Sequence, residues 1–315
     1  MMQHPTVKAA VVQAAPILFD LDATLAKMET LVQEARSQGA GLILFPEAYV
    51  SAYPRGLSFG SPIGSRSQAG RDLWLRYWES SVEVPSPATE RMGAMAKAAN
   101  AWLVVGVVER DTRTQGTLYC TMLYFSPQGE LVAKHQKLKP TGAERIVWGE
   151  GDGRTLNTVK TPFGVLGGLI CWENYMPLAR MSMYQQGVQI YLAPTADHRD
   201  TWQATMQHIA TEGRCFVLGC NQYVTQEDYP QDLPLHHELA DQPQEMTRGG
   251  SVMVSPMGEV LAGPLWGKEG ILYADLDLEQ VARARMDFDP TGHYHRPDVF
   301  QFAVPEQPPT VDLGN

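Results

Sequence analysis

Positive charge is what this chain has least to spare: 25 Lys and Arg stand against 35 Asp and Glu, for a formal net charge of −10. No basic run interrupts the acidic excess, so a nucleic-acid partner is not expected. Long apolar runs are missing too. None approaches the roughly 18 residues a bilayer crossing needs, and no membrane partner is expected. Cysteine is scarce, four in 315 residues, and no C-x-x-C occurs. That sets aside a zinc ribbon, a thioredoxin-type pair and a disulfide framework. No G-x-G-x-x-G follows a strand-like run, which removes the usual phosphate loop of a nucleotide-binding module. The opening residues MMQHPTVKAA run almost directly into a strand pattern. With no targeting segment recognisable there, a cytoplasmic location is expected.

What is present is apolar content of 44%, enough to bury a large core. Strand-like runs fall at 7–14, 41–45, 102–109, 165–171, 189–194 and 215–220. Helical patterns lie between several of them. Residues 22–38 place Leu25, Met28, Leu31, Val32 and Ala35 on one face, before Gly39. Residues 86–99 begin Ser-Pro, a cap followed by proline in the first turn, and residues 202–212 end at Gly213. The alternation predicts an α/β architecture with helix-covered sheets. Two stretches resemble each other, FSPQGELVA at 125–133 and VSPMGEVLA at 254–262. Each puts a Ser-Pro-x-Gly turn between strand-like runs, which predicts two hairpins and suggests two similar sheets in one sandwich.

Cys171 ends the run Gly164-Val165-Leu166-Gly167-Gly168-Leu169-Ile170, and polar residues follow at once. A glycine-thinned apolar run reads as a buried strand, and the carboxyl end of such a strand is where an open α/β sheet presents reacting groups. A buried cysteine is usually a small hydrophobe. That reading serves for Cys120, Cys215 and Cys220, which sit inside apolar runs. Cys171 has company. Glu47 follows the strand-like GLILF and Pro46, and Lys137 follows ELVAKHQ. A glutamate or lysine at a strand end is normally a solvated loop residue. A carboxylate, an ammonium and a thiol at equivalent strand ends together point to a cysteine hydrolase.

The blocks LILFPEAY, KHQKLKPTGAERIVWGEGDG and LICWENYMPLAR resemble the three signature blocks of the nitrilase (carbon–nitrogen hydrolase) superfamily. LYCTMLYFSPQGE, APTADHRDTWQATMQHIATEG, RGGSVMVSPMGEVLAGP and GHYHRPDVFQ are similar to the nitrilase branch, from about residue 7 to residue 302. The resemblance implies Glu47, Lys137 and Cys171 as catalytic triad, with Glu144 as a second site glutamate. It implies a four-layer α-β-β-α sandwich that pairs into an eight-layer dimer, which some relatives extend into spirals. One departure is Gln136, where arginine is usual.

The chemistry suits these residue types. A nitrile carbon is a poor electrophile and calls for a thiolate, which a base or cation must generate from a mostly protonated thiol. On this reading Glu47 is general base, Lys137 stabilises anionic species, Glu144 polarises water, and the Trp172 amide faces the developing negative charge. The outcome would be carboxylic acid and ammonia from a small-molecule nitrile, through a covalent adduct on Cys171. Tyr53 and Trp172 flank these positions and are expected to line the pocket. No cofactor is implied. His236-His237 and His293-Tyr294-His295 lack carboxylates at ligand spacing, so no metal is expected. Trp74, Tyr77 and Trp78 share helical spacing and are expected to pack in the core or at an interface rather than serve a cofactor.

Within the superfamily, amidases, carbamoyl-amino-acid hydrolases and cyanide-degrading enzymes stay open; outside it, a catalytically dead scaffold does. Residues 1–286 are expected to form a single catalytic domain. Residues 287–315 hold five prolines yet carry Phe288, Tyr294, Phe300 and Phe302. Such a tail is expected to run extended across a subunit interface of a homo-oligomer.

Overall fold

The structure is a computed structural model that describes residues 5–305. The first strands in the chain are β1 (Thr6–Gln13), β2 (Leu42–Leu44), β3 (Val82–Glu83), β4 (Trp102–Arg110), β5 (Leu118–Phe125) and β6 (Leu131–Gln136). They are followed by β7 (Val159–Thr161), β8 (Gly164–Gly168), β9 (Ile190–Pro194), β10 (Phe216–Cys220), β11 (Tyr223–Thr225), β12 (Glu245–Val254), β13 (Val260–Trp266) and β14 (Gly270–Asp277). The helices are α1 (Leu21–Ser37), α2 (Gln68–Glu79), α3 (Pro87–Ala99), α4 (Pro177–Gln185), α5 (Asp200–Gly213) and α6 (Glu279–Ala284).

The strands form two sheets of seven. One runs β14-β1-β2-β4-β5-β6 with β3 beside β4, and the other β11-β12-β10-β9-β8-β7 with β13 beside β12. Each has a parallel centre, β1-β2-β4 in one and β8-β9-β10 in the other, continued by antiparallel strands. The two Ser-Pro-x-Gly stretches are the β5–β6 and β12–β13 hairpins. They close alike: Ser126 and Ser255 N–H donate to the Glu130 and Glu259 carbonyls at 2.9 and 2.8 Å. Gly129 and Gly258 both turn at positive φ, +89° and +87°, where a side chain would be strained. The sequence likeness is therefore a structural one, with a hairpin at the same place in each sheet.

Period-two alternation makes the layers. From β1, Ala9 and Val11 point between the sheets, while Ala10 and Val12 point to the outer helices. Leu42 and Leu44 face inward and Ile43 and Phe45 outward, where Met28 and Val32 of α1 and Met92 and Ala96 of α3 cover them. In the second sheet Ile190, Leu192, Phe216 and Leu218 face inward, and Tyr191, Ala193 and Val217 meet Met183 of α4 and Met206 and Ile209 of α5. The result is a helix-sheet-sheet-helix sandwich, as expected.

The predicted helices form within about two residues of their expected bounds. Ser86 N–H is capped by Thr89, and Asn100 ends α3 in the left-handed region at φ +49°. Tyr77 is core, donating to the Ala52 carbonyl at 2.9 Å, while Trp74 and Trp78 are half-buried against it. The expected strand 165–171 is shorter. It stops at Gly168, and Cys171 opens a 3₁₀ turn over Cys171–Tyr175. Among the described residues, no helix is long and apolar enough to cross a membrane. No group of three or more His, Cys, Asp or Glu among them could hold a metal.

Candidate active site

Four loops meet between the sheets, each leaving the end of a strand. Pro46–Ala48 follows β2, Lys137 follows β6, Cys171 follows β8 and Thr195 follows β9. Two of these turns are strained: Ala48 and Cys171 have φ of +47° and +51°, which non-glycine residues rarely adopt. At Cys171 the strain turns the thiol out of the strand line, the geometry of a nucleophile elbow. The Asn174 amide holds this elbow by donating to the Leu169 and Cys171 carbonyls at 2.9 and 2.7 Å. Glu47 is seated through Gly106 of β4. A Cβ there would lie 2.1 Å from the Pro46 carbonyl oxygen and 2.8 Å from Ala48 N.

The structure brings Glu47, Lys137, Glu144, Cys171 and Tyr53 into one network. The Lys137 ammonium donates to Glu47 Oε1 at 2.6 Å and to Glu144 Oε2 at 2.8 Å. Glu144 also accepts from Tyr53 Oη at 2.7 Å and from Thr141 N–H at 2.7 Å. Glu47 Oε2 accepts from Ala196 N–H at 2.9 Å, and the Gln222 amide donates to the Glu47 carbonyl at 2.8 Å. Lys137 stands 5.6 Å from the Trp148 ring, which also packs edge-on against Tyr53. Glu47, Lys137 and Cys171 are all buried.

Burial sets the electrostatics. It raises the Glu47 carboxyl above its ordinary value, with Glu144 adding to the rise and Lys137 opposing it. Burial also works against the charge on Lys137, but Glu47, joined by Glu144, outweighs it and the ammonium is held firmly. The Cys171 thiol is pushed up, by burial first and Glu47 second, against the pull of Lys137 and Thr195. In this resting arrangement the sulfur is protonated beside a buried carboxylate able to take its proton.

Several contributing residues lie outside the sequence-based set. Thr195 Oγ1 donates to Cys171 Sγ at 3.1 Å and accepts from Asp197 N–H at 2.9 Å. Thr195 occupies a strand end of the second sheet, the same signal that singled out Glu47 and Cys171. Cys120 is buried in β5 as expected, yet its Sγ lies 3.6 Å from Glu47 Oε1. A side chain that alternates into the space between the sheets arrives at the site, which no local pattern at Cys120 discloses.

The site opens into a cleft of about 290 Å³ lined by Tyr53, Arg55, Glu144, Cys171, Trp172 and His198, among others. Trp172 is 40% exposed at its rim. Its indole N–H donates to Asp197 at 2.8 Å, and the Arg199 guanidinium lies 4.8 Å over its ring. Burial and the neighbouring Arg55 and Arg248 guanidinium groups push His198 down to about 4, so it is neutral at pH 7. A larger cavity of about 500 Å³, between the 153–157 loop, α4 and tail residues Phe302, Val304 and Pro305, is lined by none of the site residues expected from the sequence.

With this geometry in place, the likeness to known proteins is specific. The carbon–nitrogen hydrolase family profile matches residues 8–286. The chain belongs to the carbon–nitrogen hydrolase family. It is 51% identical over 302 residues to an aliphatic nitrilase of Sinorhizobium fredii, covering 96% of each chain. It is 49% identical to a bifunctional nitrilase/nitrile hydratase of Nicotiana tabacum, covering 95% of this chain and 86% of the relative. The fold is similar to that of a crystallised carbon–nitrogen hydrolase from Helicobacter pylori G27, with TM-score 0.72 at 21% identity over 95% of this chain and 98% of the other. It is similar also to a branch 10 member of the nitrilase superfamily from Saccharomyces cerevisiae, with TM-score 0.70 at 20% identity, covering 92% and 97%.

Proposed function

We propose that this chain is a nitrilase that hydrolyses an organic nitrile to a carboxylic acid and ammonia, with Cys171 as nucleophile. The observation that carries this reading is the buried thiol on a strained elbow, hydrogen-bonded by Thr195 and set beside the Glu47–Lys137–Glu144 network. Near-50% identity over almost the whole chain to proteins named nitrilases supports the choice of substrate class.

Glu47 takes the thiol proton as sulfur attacks the nitrile carbon. A C–S bond forms, one C–N π bond breaks, and the nitrogen receives a proton from Lys137 to give a thioimidate. Glu47 hands the thiol proton to Lys137, 2.6 Å away, which restores carboxylate and ammonium. Glu144, held by Tyr53 and Lys137, then orients a water whose proton Glu47 accepts as the C–O bond forms. Protonation and C–N cleavage release ammonia and leave a thioester. A second water breaks the C–S bond, releasing the acid and restoring the thiol. Lys137 and the Trp172 amide stabilise the charge that develops at each addition. If C–S cleavage precedes C–N cleavage, the product is the amide, so both products should be measured. Tyr53 and Trp172 line the substrate's path.

The test is ammonia, acid and amide release over an aliphatic, a benzonitrile-type and an arylacetonitrile-type nitrile, with matched amides and cyanide. Nitriles should yield acid and ammonia. Cys171→Ala should abolish turnover, Glu47→Gln and Lys137→Ala should each lose about 10²-fold or more, and Ala at Cys215 or Cys220 should leave turnover largely intact. An active Cys171→Ala enzyme would overturn the mechanism. Preference for amides or cyanide would move the chain to another activity of the superfamily, and no turnover at all would make it a scaffold.

The same reading takes residues 1–286 as one catalytic domain of a cytoplasmic homo-oligomer, a dimer or larger assembly such as a spiral. The tail, residues 287–315, would lie at a subunit interface. Its support is the pattern of exposure: Tyr294 and Phe300 are exposed, while the Phe288 ring packs tilted against Tyr294, centroids 4.5 Å apart. Residues 306–315 lie outside the described part of the chain.

A further inference from the structure

Beneath the site lies a second buried ionic pair that none of the chemistry above uses. His135 on β6 and Glu173 in the turn after Cys171 are each 1% exposed. Glu173 sits at the junction of two site loops. Its Oε1 accepts from Leu138 N–H at 2.6 Å, next to Lys137, and its Oε2 accepts from Ile170 N–H at 2.7 Å, next to Cys171. His135 Nε2 faces the same carboxylate at 3.0 and 3.1 Å.

The protonation state follows from counting donors. His135 Nδ1 faces the Thr155 carbonyl at 3.1 Å, an acceptor only. The Thr155 hydroxyl also lies 3.4 Å from Nδ1, but its one hydrogen has the closer Asp152 carbonyl at 3.3 Å, and it accepts from Gln136 N–H at 3.1 Å. Both ring nitrogens therefore need a proton, and Glu173, already accepting two amides, has none to give. Only imidazolium and carboxylate satisfy every contact, and a buried polar group left unmatched is costly.

We propose that the His135–Glu173 pair is a positioning clamp for catalysis, fixing the loop of Lys137 against the elbow of Cys171. The inference rests on the nitrilase reading, for which those two residues must meet one substrate atom. A lone structural ion pair would tie neighbouring packing elements anywhere. This one hydrogen-bonds the backbone amides adjoining the two groups that must act together, one from each sheet system. The protonation fits. Burial works to strip the His135 proton, but Glu173 outweighs it and holds the ring above its ordinary 6.5. Burial opposes the Glu173 charge, but His135 and the two amides keep the carboxyl below its ordinary 4.5. Cys120 and Tyr124 of β5 and Tyr191 of β9 also feel the Glu173 charge and stay neutral, pushed up by burial. The pair is thus complete from below 4.5 to above 6.5 and comes apart as pH rises through the raised His135 value.

The test uses Glu173→Gln and His135→Gln in the full chain. Glu173→Gln puts an amide N–H against a backbone N–H and should cut kcat by up to about 100-fold, the cost of a small misplacement of reacting groups, with KM nearly unchanged. Alkylation of Cys171 by iodoacetamide should slow in parallel. His135→Gln should lower kcat less and flatten the alkaline fall of kcat that the intact pair should give wild type. The double variant should cost about as much as the worse single one, because the two act as a unit. A folded Glu173→Gln protein with wild-type kcat and alkylation rate, and only a lowered Tm, would overturn the proposal. Should that variant not fold, a wild-type kcat and alkaline limb in His135→Gln would do the same. If wild type hydrolyses no nitrile while alkylation still slows in the variants, the nitrilase reading fails and the clamp stands.

Discussion

Thr195→Val isolates one hydrogen bond at the sulfur without changing side-chain shape. The hydroxyl donates to Cys171 Sγ at 3.1 Å and accepts from Asp197 N–H at 2.9 Å, and valine does neither. The two losses fall in different observables. A hydrogen bond to a charged group contributes about 1.5–3 kcal/mol, and it becomes charge-assisted only when the thiolate forms. It should therefore appear as a fall in kcat/KM of roughly 10- to 150-fold. The Asp197 amide, left buried without its acceptor, should cost about 1–3 kcal/mol of stability and lower Tm whether or not the enzyme turns over. Sign can be checked separately. Burial and Glu47 already push the Cys171 thiol up, and Thr195 pulls it down. Removing that pull should shift the pH dependence of iodoacetamide alkylation to more alkaline pH. Thr195→Ser keeps both bonds and should stay near wild type in each measurement. Thr195→Val with unchanged kcat/KM and an unshifted alkylation profile would refute a role for this hydroxyl at the sulfur.

Two further outcomes follow from packing. Gly106→Ala forces a methyl to within 2.1 Å of the Pro46 carbonyl oxygen; it should destabilise by about 1–3 kcal/mol and lower turnover by shifting Glu47, as thermal melts and kcat would show, and a wild-type kcat would mean the Glu47 seat is not set there. Truncation after Met286 removes no site residue but should shrink the assembly on size-exclusion chromatography and cost activity, whereas native size and turnover would make the tail dispensable.

The site was legible where chemistry and strand ends coincide. Glu47, Lys137 and Cys171 each follow a strand whose apolar run is plain in the sequence, and the two Ser-Pro-x-Gly stretches disclosed the doubled sheet. Thr195 follows an equally plain strand, but threonine carries no strong chemical signature, so nothing drew attention to it. Cys120 and Glu173 were beyond local reading for a different reason. Cys120 meets Glu47 across 73 residues and Glu173 meets His135 across 38, and only the packing of two sheets brings them together. The strand ending early at Gly168 was missed because Leu169 and Ile170 prolong the apolar run while the backbone turns towards the elbow. The short strands β7 and β11 and helix α4 have too little periodicity to stand out.

The doubled sheet has a consequence for how activity arises along the chain. Glu47 and Lys137 come from the first half, Cys171 and Thr195 from the second, so neither half holds a reactive thiol by itself. The first sheet, moreover, gains its last strand from far downstream, where β14 pairs along the whole of β1 from Thr6↔Asp277 to Gln13↔Gly270. A chain emerging in order would carry Cys171 long before the strand that completes the sheet bearing Glu47. The sheet that carries Glu47 is therefore complete only once residue 277 has been made, more than a hundred residues after Cys171.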